Sequence, residues 1–260
     1  MRRALAGCLA LSVAAPPLGV FLVIRRMSLM SDVLQHGVLP GIALGAAIGG
    51  LSVWAMGLGG IASGLVVALL AGWLARRTGG GEDSQLAGLY LIALAAGVAL
   101  VSAQRGVDLT HLLFGSVLAV DDAALLAMAS AASITLPGLA LIWRPLVLNS
   151  LDPGFDGGFW HACFLTLVVL CVVAGFAALG TLMSVGLMML PAVAARHWSG
   201  SRSGQVSAAV ALAVVSSVAG LLVSYHVEIP AGPAIVLTAG ALWGMSLLAG
   251  PRQGVLRGRG

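Results

Sequence analysis

Lysine is missing from this 260-residue chain, and charge of either sign is scarce, with 8% of residues being Asp, Glu, Lys or Arg. A soluble domain carries roughly 25%, so a surface of this composition cannot face water all round. Cysteine is nearly absent. Cys8, Cys163 and Cys171 lie inside apolar runs and form no CxxC; they read as small apolar packing residues rather than as a disulfide or a metal cluster. No P-loop is present, and no Ser-His or Cys-His arrangement stands out. Any energy-driven step therefore belongs to another subunit. Polar connections are short. The longest, about 144–159 (RPLVLNSLDPGFDGGF), leaves no room for a soluble domain.

What the chain does contain is apolar sequence: 60% of its residues are hydrophobic and the mean hydropathy is +1.06. An outer-membrane barrel would show segments of about ten residues alternating with period two, whereas the runs here are long and unbroken. The fold expected is an all-α polytopic membrane protein. With about 20 apolar residues needed per span, candidates fall at 5–24, 33–53, 57–75, 84–103, 122–143, 160–179, 181–197, 205–225 and 231–250. That is nine spans, or eight if two neighbours fuse or one is re-entrant. The first could pass for a signal peptide, but it runs into Arg25-Arg26 without a convincing cleavage site and is kept as a helix. The segment 109–120, LTHLLFGSVLAV, is too short to span and reads as a half-helix or surface helix.

All thirteen basic residues are arginine. Despite a pI near 9.6, they stand in pairs and singles between apolar runs, the pattern of topology signals rather than of a nucleic-acid surface. With the N-terminus outside and an odd number of spans, ten of the thirteen fall on the cytoplasmic side: Arg25, Arg26, Arg76, Arg77, Arg144, Arg196, Arg202, Arg252, Arg257 and Arg259. The positive-inside rule therefore predicts an outer N-terminus and a cytoplasmic C-terminus, with 251–260 as a cytoplasmic tail.

Polar side chains inside spans are the candidates for chemistry, because burying them is costly. Asp32 and His36, at i and i+4, share a helix face, and a carboxylate with an imidazole is a reasonable donor pair for Zn²⁺, Mn²⁺ or Fe²⁺. The alternative is that Asp32 lies at the interface, paired with Arg25 or Arg26, while His36 only bonds locally. Gly37, Gly41, Gly45 and Gly49 form a ridge without side chains that reads as helix packing. Pro40, one turn beyond His36, frees a backbone carbonyl that either ligates a cation or marks a kink. Asp108 with His111, and His226 with Glu228, read as loop residues on the outer side, the first pair near an entrance. His161 and His197 fall at cytoplasmic ends. Met27, Met30, Met183, Met188 and Met189 read as core rather than as thioether ligands.

Four blocks resemble the permease subunits of bacterial zinc/manganese/iron ABC importers: PLGVFLVIRRMSLMSDVLQHGVLPGIALG (Pro17–Gly45), VDLTHLLFGSVLAV (Val107–Val120), GTLMSVGLMMLPAVAARHWS (Gly180–Ser199) and IPAGPAIVLTAGAL (Ile229–Leu242). They occur in the family's order and spacing over nearly the whole chain. The resemblance implies a type II ABC importer fold in the bacterial plasma membrane. Its implied partners are a second copy of the permease, two cytoplasmic ATP-binding subunits and an extracytoplasmic metal-binding protein; no cofactor is permanently bound. The family's Asp-x3-His matches Asp32 and His36, implying metal coordination along the pathway. Asp108, His111 and Gly115 match a block near the outer gate. Asp152, Pro153 and Phe155 match the loop expected to couple to the ATPase, but Asp156 stands where the family usually has alanine, which leaves that loop's geometry and its partner's groove open.

Two other functions fit the same composition. A chelated-metal importer of siderophore or cobalamin type would not need an Asp/His pair on the path. An ion-gradient carrier would show inverted repeats and coupling acids at mid-membrane; no clear internal repeat is visible, and the acids nearest the spans, Asp32 and Asp122 among them, stand at span ends. Asp with His accepts zinc, manganese and ferrous iron alike; the wording MSLMSDVLQHGVLPG leans toward manganese-type relatives.

Overall fold

The structure is a computed structural model that describes residues 2–27, 30–50, 52–78, 82–103, 121–149 and 158–252. The described residues form ten helices: α1 (Arg2–Ile24), α2 (Met30–Gly37), α3 (Leu39–Gly49), α4 (Val53–Thr78), α5 (Glu82–Ala103), α6 (Asp122–Asn149), α7 (Phe159–Leu179), α8 (Thr181–Ala195), α9 (Arg202–Val227) and α10 (Ala231–Ala249). Six of them are long and apolar enough to cross a bilayer: α1, α4, α6, α7, α9 and α10. Asp108, His111, Asp152, Pro153 and Phe155 lie outside the described residues.

α1 is the central pillar, with 78% of its spanning window buried. A helix that is apolar on every side must be covered on every side, and α1 packs on α6, α7, α8 and α9. Its one deep polar group is neutralised locally. Ser12 Oγ donates to the Cys8 carbonyl at 2.7 Å and lies 2.7 Å from Ser217 Oγ on α9. At the lower end Phe21 meets Trp143 and Phe164 edge-on, at 5.0 and 6.2 Å between ring centroids. At the other end Arg3 pairs with Asp122 at 3.1 Å, tying the starts of α1 and α6. The outer helices are the opposite case. Only 22% of the α4 window is buried, and Leu58, Leu91 and Leu237 point outward, as hydrocarbon-facing positions do. Met30, Met183 and Met188 are fully buried, which bears out the reading of these methionines as core.

The span expected as one helix over 33–53 is in fact two, α2 and α3, beginning three residues earlier and broken after Gly37. Pro40 stands in the first turn of α3, where its missing N–H is tolerated. The break is a bend rather than a gap, since the Val38 N–H still bonds to Leu34 and the Ile42 N–H to Val38, both at 3.0 Å. The glycine ridge lies along α4. A Cβ on Gly41 would strike the Gly59 carbonyl oxygen, one on Gly45 the Ala55 carbonyl oxygen, and one on Gly49 the Ala55 side chain. Only glycine lets the two backbones approach this closely. The second correction concerns 181–197: α8 ends at Ala195 and is one of two shorter apolar helices. It follows α7 after the single residue Gly180, whose φ of 86° is the left-handed region that a side chain disfavours.

Candidate functional site

The bend after Gly37 sets the environment of α2. One face of this short helix is sealed: Met30, Ser31 and Leu34 have no exposure and Gln35 has 1%. The opposite face carries Asp32 and His36, with 57% and 24% of their side chains exposed, and His36 Nε2 is 3.9 Å from Asp32 Oδ1. The helical register expected from the spacing is therefore realised, and both groups front open space rather than core. Among the described residues neither Arg25 nor Arg26 forms the alternative ion pair with Asp32. The Arg25 guanidinium turns instead to α7, with Nη1 3.0 Å from His161 Nδ1 and the charge 5.3 Å above the Phe164 ring. His161 thus takes a bond between helices.

Gln35 fixes the orientation of α2 from behind, donating from Nε2 to the Thr181 carbonyl at 2.9 Å. Ser63 Oγ on α4 donates to the Gly37 carbonyl at 2.8 Å and holds the last turn of α2. Pro40 cannot donate to the carbonyl of His36, so that oxygen lacks its usual partner from four residues on. Tyr90 on α5 closes the side of the site, its ring edge-on to the imidazole at 5.3 Å. The His36 Nδ1 is buried without a hydrogen-bond partner, which leaves Nε2, on the Asp32 side, as the nitrogen facing a ligand.

Sequence reasoning missed Gln35 and Tyr90. Gln35 was readable as an uncharged polar group amid apolar residues four places from Ser31. Tyr90 was not, because its approach depends on Gly97. A Cβ on Gly97 would lie 2.8 Å from the Leu39 Cβ, so α5 sits directly on the bend, and Tyr90, seven residues earlier on the same face, is carried over His36.

Other candidates resolve into structural roles. His226 Nδ1 bonds to the Leu222 carbonyl at 2.8 Å in the last turn of α9, and Glu228 caps that helix at φ 56°. Cys8 and Cys171 are buried, and all three cysteines are free thiols, as expected. Among the described residues no group of three or more His, Cys, Asp or Glu converges. The Asp32–His36 pair places one carboxylate and one imidazole side by side as donors.

Residues 1–250 match the family model described as ABC 3 transport family. This chain belongs to that family. Curated relatives of this ABC 3 member include the manganese transport system membrane protein MntC of Halalkalibacterium halodurans, 30% identical over 98% of this chain and 89% of its own. The manganese import system permease protein ScaB of Streptococcus gordonii is 29% identical over 99% and 94%, and a protein of Haemophilus influenzae described as an iron transport system membrane protein is 28% identical over 95% and 92%. Among solved structures, PsaBC from Streptococcus pneumoniae in complex with Fab superposes with a TM-score of 0.85 at 29% identity, over 98% of this chain and 93% of that one. A metal-chelate type ABC transporter in an inward-facing conformation shares the fold at TM-score 0.67 and 18% identity, over 95% and 86%. With its apolar exterior and six helices of spanning length, the ABC 3 chain is a multi-pass membrane protein.

Proposed function

We propose that this chain is the membrane-spanning subunit of an ATP-driven importer of a divalent transition metal, with manganese as the first cargo to test, iron the second and zinc the third. The order follows the relatives, of which MntC and ScaB are named for manganese and one for iron. The observation that carries the reading is the Asp32–His36 pair, presented side by side toward open space on a helix whose back is sealed. A passing ion needs donors strong enough to replace some of its water and few enough to let it go. A carboxylate with one imidazole meets that need for manganese, iron and zinc alike, so ligand type does not select among them.

In this reading the chain has eight or nine spans, an outer N-terminus and a cytoplasmic C-terminus, and works as a homodimer. Two ATP-binding subunits supply the energy, and an extracytoplasmic protein delivers the metal. Asp108 and His111 lie near the outer gate, and Asp152, Pro153 and Phe155 engage the ATPase.

The test is whole-cell manganese, iron and zinc in the native host under metal limitation, in the parent, a deletion and a strain carrying Asp32→Ala with His36→Ala at normal protein level. A deletion that lowers one metal identifies the cargo, and a double variant that lowers it equally places the pair on its path. If the deletion loses a metal and the double variant does not, the pair is structural. A deletion that changes only chelate-dependent uptake would support the siderophore or cobalamin type instead.

A further inference from the structure

A second polar assembly lies at the end of the molecule where α8 turns into α9 and α10 finishes. The turn is tightly knit. Ser199 Oγ is 3.2 Å from Ser201 Oγ, the Gly204 N–H donates to Ser201 Oγ at 3.2 Å, and Gln205 Nε2 donates to the Ser199 carbonyl at 3.0 Å. Trp198 Nε1 donates to Ser246 Oγ at 2.9 Å, and the Arg252 N–H donates to the His197 carbonyl at 3.2 Å, lacing the turn to the end of α10. A Cβ on Gly200 would overlap the Arg252 guanidinium, which lies across the turn.

These bonds occupy the serines, the glutamine and the indole N–H. They leave out three charges. Arg196 caps α8, Arg202 opens α9 and Arg252 follows α10, and among the described residues no ion pair is made by any of them. From residue 157 to the C-terminus the one acidic residue is Glu228, at the far end of α9. Beside the arginines the surface turns apolar. Trp198 is 50% exposed although its N–H is anchored, and Met245 and Leu248 in the last two turns of α10 are 56% and 51% exposed.

We propose that this end binds an anionic phospholipid, its headgroup phosphate held by Arg196, Arg202 and Arg252 and its acyl chains laid along Trp198, Met245 and Leu248. The three cations supply charge complementarity, a held indole at the level of the headgroups is the usual marker of the membrane interface, and basic pockets between helices on the cytoplasmic side suit anionic headgroups. The apolar strip beside them selects a lipid over free phosphate. This inference does not depend on which metal is carried, or on whether one is.

The test uses the full chain in mild detergent, titrated with phosphatidylglycerol and followed by native mass spectrometry, with folding monitored by size exclusion and melting. At about fivefold per arginine at a membrane surface, the triple variant R196Q/R202Q/R252Q is expected to lose roughly a hundredfold in apparent affinity. The corresponding triple lysine variant, which keeps the charge, stays near the parent, as does R77Q at another helix end. If the triple glutamine variant misfolds, the single variants are compared, each expected about fivefold weaker. A folded triple variant that binds phosphatidylglycerol like the parent overturns the proposal. So does displacement of the lipid by inorganic phosphate alone, which would mark a simple anion site. Unchanged lipid binding with loss of co-purifying ATP-binding subunit would overturn it in favour of a protein-docking face.

Discussion

Gly41 and Gly59 lie backbone to backbone across the α3–α4 contact, each placed so that a Cβ added to it would strike the carbonyl oxygen of the other. Side chains can yield to an added methyl group, but two helix backbones cannot without separating. Gly41→Ala or Gly59→Ala is therefore expected to cost about 1–3 kcal/mol, the range for overpacking a close contact. Gly57→Ala and Gly240→Ala, where a Cβ meets nothing within 4 Å, are expected to be neutral or slightly stabilising. Thermal unfolding of the four variants in one detergent checks the contrast. Equal melting for all four would mean that the α3–α4 approach is looser than this.

The Gln35 bond to Thr181 is the next point at which one atom decides a packing arrangement. Gln35→Leu keeps most of the volume but removes the bond that ties α2 to α8, at about 0.5–1.5 kcal/mol for a lost intramolecular hydrogen bond. Lower melting together with slower transport is expected, because α2 loses its tie to α8 and the Asp32–His36 face is no longer held. Gln85→Leu, at a half-buried glutamine whose bond to Thr78 is at the surface, should leave both measurements unchanged.

Much of this was legible in the sequence. The apolar runs of α1, α4, α6, α7, α9 and α10 are long enough to be seen by length alone, and the i, i+4 spacing placed Asp32 beside His36. The glycine ridge announced a close helix contact but not its partner, since four glycines on one face fit any helix with a matching groove. The bend after Gly37 was only hinted at by Pro40, because proline in the first turn of a helix and proline at a kink look the same in one dimension. Two facts were out of reach. Arg25 is drawn to His161 and Phe164 on a helix more than a hundred residues away, and Tyr90 reaches His36 through a glycine that faces Leu39. Both are properties of assembled helices, on which sequence periodicity is silent.

Tyr90 offers a direct check on how the site is held. Its ring restrains the imidazole of His36 edge-on, a contact worth about 0.5–1.5 kcal/mol beyond simple burial. Tyr90→Phe keeps the ring and is expected to stay within about twofold of the parent in the half-saturating metal concentration for transport. Tyr90→Ala frees the imidazole and should raise that concentration by up to about tenfold, the same energy expressed as affinity. If phenylalanine is as damaging as alanine, the hydroxyl rather than the ring is what matters.

Asp32 and His36, if they hold one ion together, should not act independently. Sites that share a ligand show strong coupling in a double-variant cycle, whereas unrelated sites add. Asp32→Asn and His36→Gln are each expected to cut initial manganese uptake at least about tenfold, and the double variant should be little worse than either single one. A double variant whose loss is the product of the two single losses would show that Asp32 and His36 do not share an ion, whatever the 3.9 Å between them.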